Sequence, residues 1–188
     1  MATLIDPAAE LSPKAERTRA AILAAAQQTF SAHGYAATGI RTITAAAGVN
    51  PALVSRYFGS KEGLFEAALE ASLDIGLLTS QDRSQFGRQL LDSLLNVDGQ
   101  AAPLPMLVLA TGDPVAREIA GRVLRRQVIG PLTEWLGGAE AEVRAARLLL
   151  VSAGLFLYRT LYPMAPLEGR LHPAMRSWLE REFQSLVD

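Results

Sequence analysis

The chain contains no cysteine among its 188 residues. That absence excludes a disulfide scaffold, a thiolate metal site and a cysteine nucleophile, and it suits a reducing cytoplasm. Histidine is scarce, present only as His33 and His172. Neither has a neighbouring carboxylate or second histidine at ligand spacing, and no glycine-rich phosphate loop occurs. The sequence therefore offers no catalytic residue, no metal site and no cofactor. Long apolar runs are missing too. The longest, Leu148 to Tyr158, lies between Arg147 and Arg159 and falls short of the ~20 residues a membrane span requires. Met1 to Glu10 carry neither a basic n-region nor an apolar h-region, so no signal peptide is expected. The expectation is a cytoplasmic protein with no membrane partner.

What is present is mostly apolar: 49% hydrophobic residues against 20% charged, a balance that argues for a packed core rather than disorder. The net charge of −1 conceals a segregation. Between Lys14 and Lys61, six basic residues (Lys14, Arg17, Arg19, Arg41, Arg56, Lys61) face one acidic residue, Glu16. A basic N-terminal third on an acidic remainder suits a chain that meets a polyanion at one end, although solvated charge segregates by chance as well.

No strand pattern appears; apolar residues recur at three and four and glycine or proline punctuates each run, so the pattern predicts an all-α chain of about nine helices. Ser12-Pro13 caps and starts the first, which carries Ile22, Leu23, Ala26 and Phe30 on one face and stops at His33-Gly34. Short helices follow at about Ile40 to Ala47 and from Asn50-Pro51 to Tyr57, with Gly48-Val49 turning the chain between them. Gly59-Ser60 ends the third helix and caps a fourth running from Lys61 towards Leu78. Beyond it the helices are longer and more apolar. One covers about Ser84 to Leu95, a short one follows Pro105, and another runs from Asp113-Pro114 to Leu136 with a kink expected at Gly130-Pro131. The eighth spans about Glu140 to Leu161, and the last follows a loop over residues 163–172. The reading divides the chain into an N-terminal tail (1–12), a helix-turn-helix domain (13–60) and a C-terminal helical domain (61–188).

Three short helices with a glycine turn between the second and third suit a helix-turn-helix, whose third helix enters the major groove. The order of residues is more telling. Ala47-Gly48-Val49-Asn50-Pro51-Ala52-Leu53-Val54 leads to Tyr57-Phe58-Gly59-Ser60-Lys61-Glu62-Gly63-Leu64-Phe65, preceded by Ile22 to Ala26, Phe30, Gly34-Tyr35 and Thr38. Over residues 17 to 65 this resembles the N-terminal signature of the TetR family of transcriptional regulators. The resemblance implies operator DNA as partner. It places Thr38, Arg41 and Thr42 near backbone phosphates and puts Asn50, Pro51, Ala52, Leu53, Ser55, Arg56 and Tyr57 on the reading helix. Arg56 is the candidate for reading guanine, because its fork fits the major-groove acceptors. Leu53 or Ala52 are candidates for a thymine methyl, and Tyr57 and Lys61 for phosphates. The family often has glycine at the position of Ala52, tyrosine at that of Ser55 and threonine at that of Gly39, so the operator sequence does not carry over.

The resemblance further implies a C-terminal domain that dimerises and binds a small effector. An eighth helix apolar on several faces beside a striped last helix carries more hydrophobic surface than one small bundle covers, and pairing two copies buries it. Leu150, Leu157, Leu161, Met175, Trp178, Leu179, Phe183 and Leu186 are the candidates for that homodimer interface. Phe86, Met106, Trp135, Phe156, Tyr158 and Tyr162 are candidate pocket lining, with Arg159 or His172 as polar anchors. The expected function is a dimeric repressor released from a palindromic operator by a small, mainly apolar effector. The alternative is a helical ligand- or protein-binding module with little specific DNA binding.

Overall fold

The computed structural model describes residues 12–80, 82–95 and 103–188; apart from Ser12, the expected N-terminal tail lies outside them. Among the described residues the chain is helical with no strand: α1 (Pro13–Ala37), α2 (Ile40–Ala46), α3 (Ala52–Phe58), α4 (Lys61–Ser72), a single turn α5 (Gly76–Thr79), α6 (Phe86–Leu95), α7 (Pro103–Ala110), α8 (Pro114–Leu124), α9 (Gly130–Leu136), α10 (Ala141–Phe156) and α11 (Pro173–Ser185). No helix of the described residues is long and apolar enough to cross a membrane.

Local chemistry sets most of the ends. Ser12 accepts from the Ala15 N–H, Asp113 from the Val115 and Ala116 N–H groups, and Ser60 from the Gly63 N–H, each satisfying a donor that the first turn leaves unpaired. Helical dihedrals fail at Gly34 (φ 75°, ψ 172°), where α1 kinks before Tyr35. The fourth helix is shorter than its apolar stripe suggests. It ends at Leu73, and the Asp74 Oδ1 accepts from the Gly76 N–H at 2.8 Å, closing a local turn that starts α5 afresh. At Gly130-Pro131 the expected kink takes the form of a π-helical turn, Arg125–Ile129, which joins α8 to α9. Pro131 has no N–H for the preceding turn, and the wider winding lets the Gly130 N–H reach the Arg125 carbonyl. A second π-helical turn, Leu157–Leu161, extends α10 until Tyr162, where Pro163 follows.

Two cores result. The first gathers Ile22, Ala26 and Phe30 of α1, Ile43 of α2, Val54 of α3 and Leu64, Phe65 and Leu69 of α4, then continues into Met106 of α7 and Ile119 and Val123 of α8. It does not stop at residue 60. The Phe65 ring meets those of Phe30 and Tyr35 edge-on, each at 5.1 Å between centroids. The second core joins Phe86 and Leu91 of α6, Leu132 and Leu136 of α9, Leu148 and Leu155 of α10, and Leu179 and Phe183 of α11. Two arginines staple it. Arg83 donates to the carbonyls of Val187, Trp135 and Leu136, and Arg144 to those of Leu186, Leu136 and Gly137, satisfying acceptors that helix C-termini leave open.

Candidate nucleic-acid interface

The turn between α2 and α3 is fixed by the backbone. Gly48 sits at φ 66°, and the Val49 N–H donates back to the Thr44 carbonyl at 2.9 Å. The Asn50 Oδ1 then accepts from the Ala52 N–H at 2.9 Å, so this side chain starts the reading helix. Val54 is wholly buried, with Val49, Leu53, Tyr57 and Phe58 packed around the same core, and α3 is anchored by that side. Ala52, Ser55 and Arg56 consequently face outward, as do Arg41 and Thr42 on α2 and Asn50 and Pro51 at the turn. Among the described residues, Arg41, Arg56 and Lys61 have no carboxylate within ion-pair distance. The face is small-residued, cationic and rigidly backed, which is what a helix needs to slide into a major groove and meet phosphates beside it.

Thr38 stands apart from this set. It is 2% exposed, and its hydroxyl donates to the Gly34 carbonyl at 2.7 Å. It closes α1 and faces away from solvent, so a phosphate contact is not available to that side chain. Leu53 and Tyr57 are half-buried, because the turn that exposes Ala52 and Arg56 directs their neighbours onto the core.

Lys61 is held by residues of the signature to which the sequence assigned no site role. Its ammonium lies 4.0 Å above the Tyr35 ring, while the Tyr35 hydroxyl donates to the Glu62 Oε1 at 2.7 Å. Hydrogen bonds from Ser60 and then Tyr35 hold the Glu62 carboxyl down to about 2. Burial first, and the Glu62 carboxylate second, push the Tyr35 hydroxyl up from its ordinary value. Gly63 completes the corner: a Cβ there would lie 2.1 Å from the Phe58 carbonyl oxygen, so only glycine lets α4 start this close to the end of α3. Arg19 of α1 stacks over Phe58 at 5.1 Å. The pairing of α1 with α3 and α4 is a tertiary fact, and no spacing within either segment signals it.

α4 leads from this surface into the second half of the chain. Arg122 of α8 donates to Glu66 from Nε at 3.4 Å and from Nη2 at 3.1 Å, and Arg126 of the π-helical turn pairs with Glu66 and Glu70. The Arg122 hydrogen bond, with the charges of Arg122 and Arg126, holds the Glu66 carboxyl below the usual carboxylate range.

The candidate pocket residues do not line one cavity. Phe86 lines a 70 Å³ cavity with Ile75, Thr79 and Ser152, and the Trp135 ring packs tilted against that of Phe86 at 4.9 Å. Met106 is buried in the first core. Tyr158 borders a 230 Å³ groove between α10 and α11, alongside Met175 and Trp178. Phe156 and Arg159 line a separate 250 Å³ cavity. Tyr162 is 67% exposed, and His172 caps α11 by accepting from the Ala174 N–H. The candidate interface residues divide in a similar way. Leu179, Phe183 and Leu186 are buried within the chain's own core, Leu157 and Met175 are half-buried, and Leu150, Leu161 and Trp178 lie on the outer face.

Residues 22–68 match the family model of bacterial regulatory proteins of the tetR family, and residues 84–187 that of a tetracyclin repressor-like C-terminal domain. An HTH-type transcriptional repressor of Mycobacterium tuberculosis is 49% identical over 55 residues, which cover 29% of this chain and 29% of that relative's length. The crystal structure of a TetR-family regulator from Streptomyces coelicolor is 25% identical with a TM-score of 0.58, covering 95% of this chain and 98% of its own. Salmonella enterica GusR, at 20% identity and a TM-score of 0.65, covers 94% and 97% and shares the fold.

Proposed function

This chain belongs to the TetR family of bacterial regulatory proteins, which makes it a transcriptional regulator and not an enzyme, and on that premise we propose that it is a dimeric repressor of a palindromic operator. The observation that carries the DNA reading is the outward face of α3. There Ala52, Ser55 and Arg56 are exposed on a helix anchored through Val54, flanked by Arg41 and Thr42. In this reading Arg56 contacts a base edge, and Arg41, Thr42 and Lys61 contact phosphates. The division into residues 13–60 for DNA and 61–188 for ligand and partner is part of the proposal, with α4 belonging to both through the first core.

The outer face of α10 and α11 supports the dimer. Leu150 is 72% exposed and Trp178 46%, a pair of large apolar side chains that water does not favour and a second copy covers. A small, mainly apolar effector bound in the C-terminal half releases the operator by favouring a conformation in which the paired reading helices no longer match the groove spacing. Selection from random duplex DNA tests the reading. A palindrome with half-sites about one helical turn apart is expected. Recovery of no palindromic sequence by the full chain overturns it in favour of a module without specific DNA binding.

A further inference from the structure

The 250 Å³ cavity between the end of α6, the first turn of α7 and the C-terminal part of α10 has hydrocarbon walls from Leu94, Leu95, Pro105 and Phe156. The polar residues of its lining are Arg159 and Thr160. Arg159 is half-buried, and its Nη1 donates to the Leu167 carbonyl at 2.7 Å. Among the described residues this is its one hydrogen bond, and no carboxylate lies within ion-pair distance of it.

The two other half-buried arginines in this half of the chain are occupied. Arg144 is filled by backbone carbonyls, and Arg176 is paired with carboxylates. A half-desolvated guanidinium with one neutral acceptor is an unmatched charge, and its remaining N–H groups form a fork suited to a carboxylate. A single cation in the lining matches a monoanion, and the apolar walls match a hydrocarbon tail. We propose that this cavity binds an amphipathic monocarboxylate, its head on Arg159 and its tail between Leu94, Leu95, Pro105 and Phe156. The regulatory meaning of the site rests on the effector reading above. The cavity also borders a helix that touches α1 directly. Pro105 lies in the first turn of α7, and four residues on, Leu109 presses so close to α1 that a Cβ on Gly34 would lie 3.1 Å from the Leu109 Cβ.

The test is calorimetric titration of the full chain with straight-chain carboxylates from butanoate to decanoate and with the matched primary alcohols. Affinity should rise about fourfold per added methylene until the cavity is full. Each alcohol should bind about tenfold or more weakly than its carboxylate, for want of the charge-assisted hydrogen bonds. Arg159→Met should remove that difference, Arg159→Lys should restore part of it, and Leu94→Trp, which fills the cavity without touching the cation, should abolish both ligands. No carboxylate binding, equal binding of acid and alcohol, or an Arg159→Met protein that keeps its preference for the acid overturns the site. Release of the selected operator is read separately. Carboxylate binding without release keeps the site and removes the effector role; release by a neutral molecule with no carboxylate binding keeps the role and removes the site.

Discussion

α3 shows water an alanine, a serine and an arginine at positions 52, 55 and 56, whereas α10 and α11 show it Leu150, Leu161 and Trp178. Both faces are backed by a firm core, Val54 beneath one and Leu148, Leu155 and Leu179 beneath the other. The difference lies in what each is ready to lose. The α3 face gives up water on a hydroxyl and a guanidinium and recovers that cost from phosphates and base edges, so its affinity depends on salt. The α10–α11 face gains from shedding water against another apolar surface and is nearly blind to salt. The dimer proposed above needs both kinds, because two recognition helices are useful only if a salt-insensitive contact holds them together.

Two perturbations separate the two faces and a third probes the corner that backs the first, taken from the largest expected effect down. Glu at both Leu150 and Trp178 should leave the fold intact and convert the dimer to monomer in sedimentation velocity. Operator affinity should then fall on the order of a hundredfold or more as bivalent binding is lost. A double variant that stays dimeric would move the interface elsewhere. Arg56→Ala should weaken the selected operator by about tenfold to a hundredfold in a mobility-shift assay and relax preference at one base pair per half-site, with the sedimentation coefficient unchanged. A uniform loss on all sequences would make Arg56 a phosphate contact. The third concerns Tyr35→Phe, which removes one donor to Glu62. Because the folded Glu62 carboxyl sits at about 2 against an ordinary 4.5, its contribution to stability is present above pH 4.5 and is lost as the pH falls towards 2. The stability gap between wild type and variant in urea titrations should therefore be widest above pH 4.5 and shrink below it.

The first of these regions was far more legible in the sequence than the second. Ser12-Pro13, Gly48, Asn50-Pro51 and Ser60 act within a few residues of themselves, so caps and turns announce α1 to α4. Thr38 misled because a threonine after a helix serves equally to close it inward or to reach outward, and only the packed carbonyl of Gly34 decides. In the second half nearly every helix is apolar, and composition cannot say which neighbour a ring meets. Phe86 and Trp135 pack against each other, while Met106 and Tyr158 belong to a different core and a different groove. The break after Leu73 needed an Asp74 turn that competes with an otherwise continuous stripe. Tyr35, Glu62 and Arg19 depend on α1 meeting α3 and α4, a contact between segments that no local pattern encodes.

The ion pairs of Glu66 and Glu70 with Arg122 and Arg126 give dissolved electrolyte a second point of attack. Ions that compete for the phosphates also loosen the tie between α4 and α8, by an amount on the order of 0–1 kcal/mol per exposed pair. A double-logarithmic plot of operator affinity against salt should then curve, and its slope should overcount the phosphates in contact. Glu66→Gln with Glu70→Gln should straighten the line. A wild-type plot that is already straight would mean that the tie does not bear on DNA binding. If it curves, the protein is a gauge of ionic strength as well as a reader of sequence.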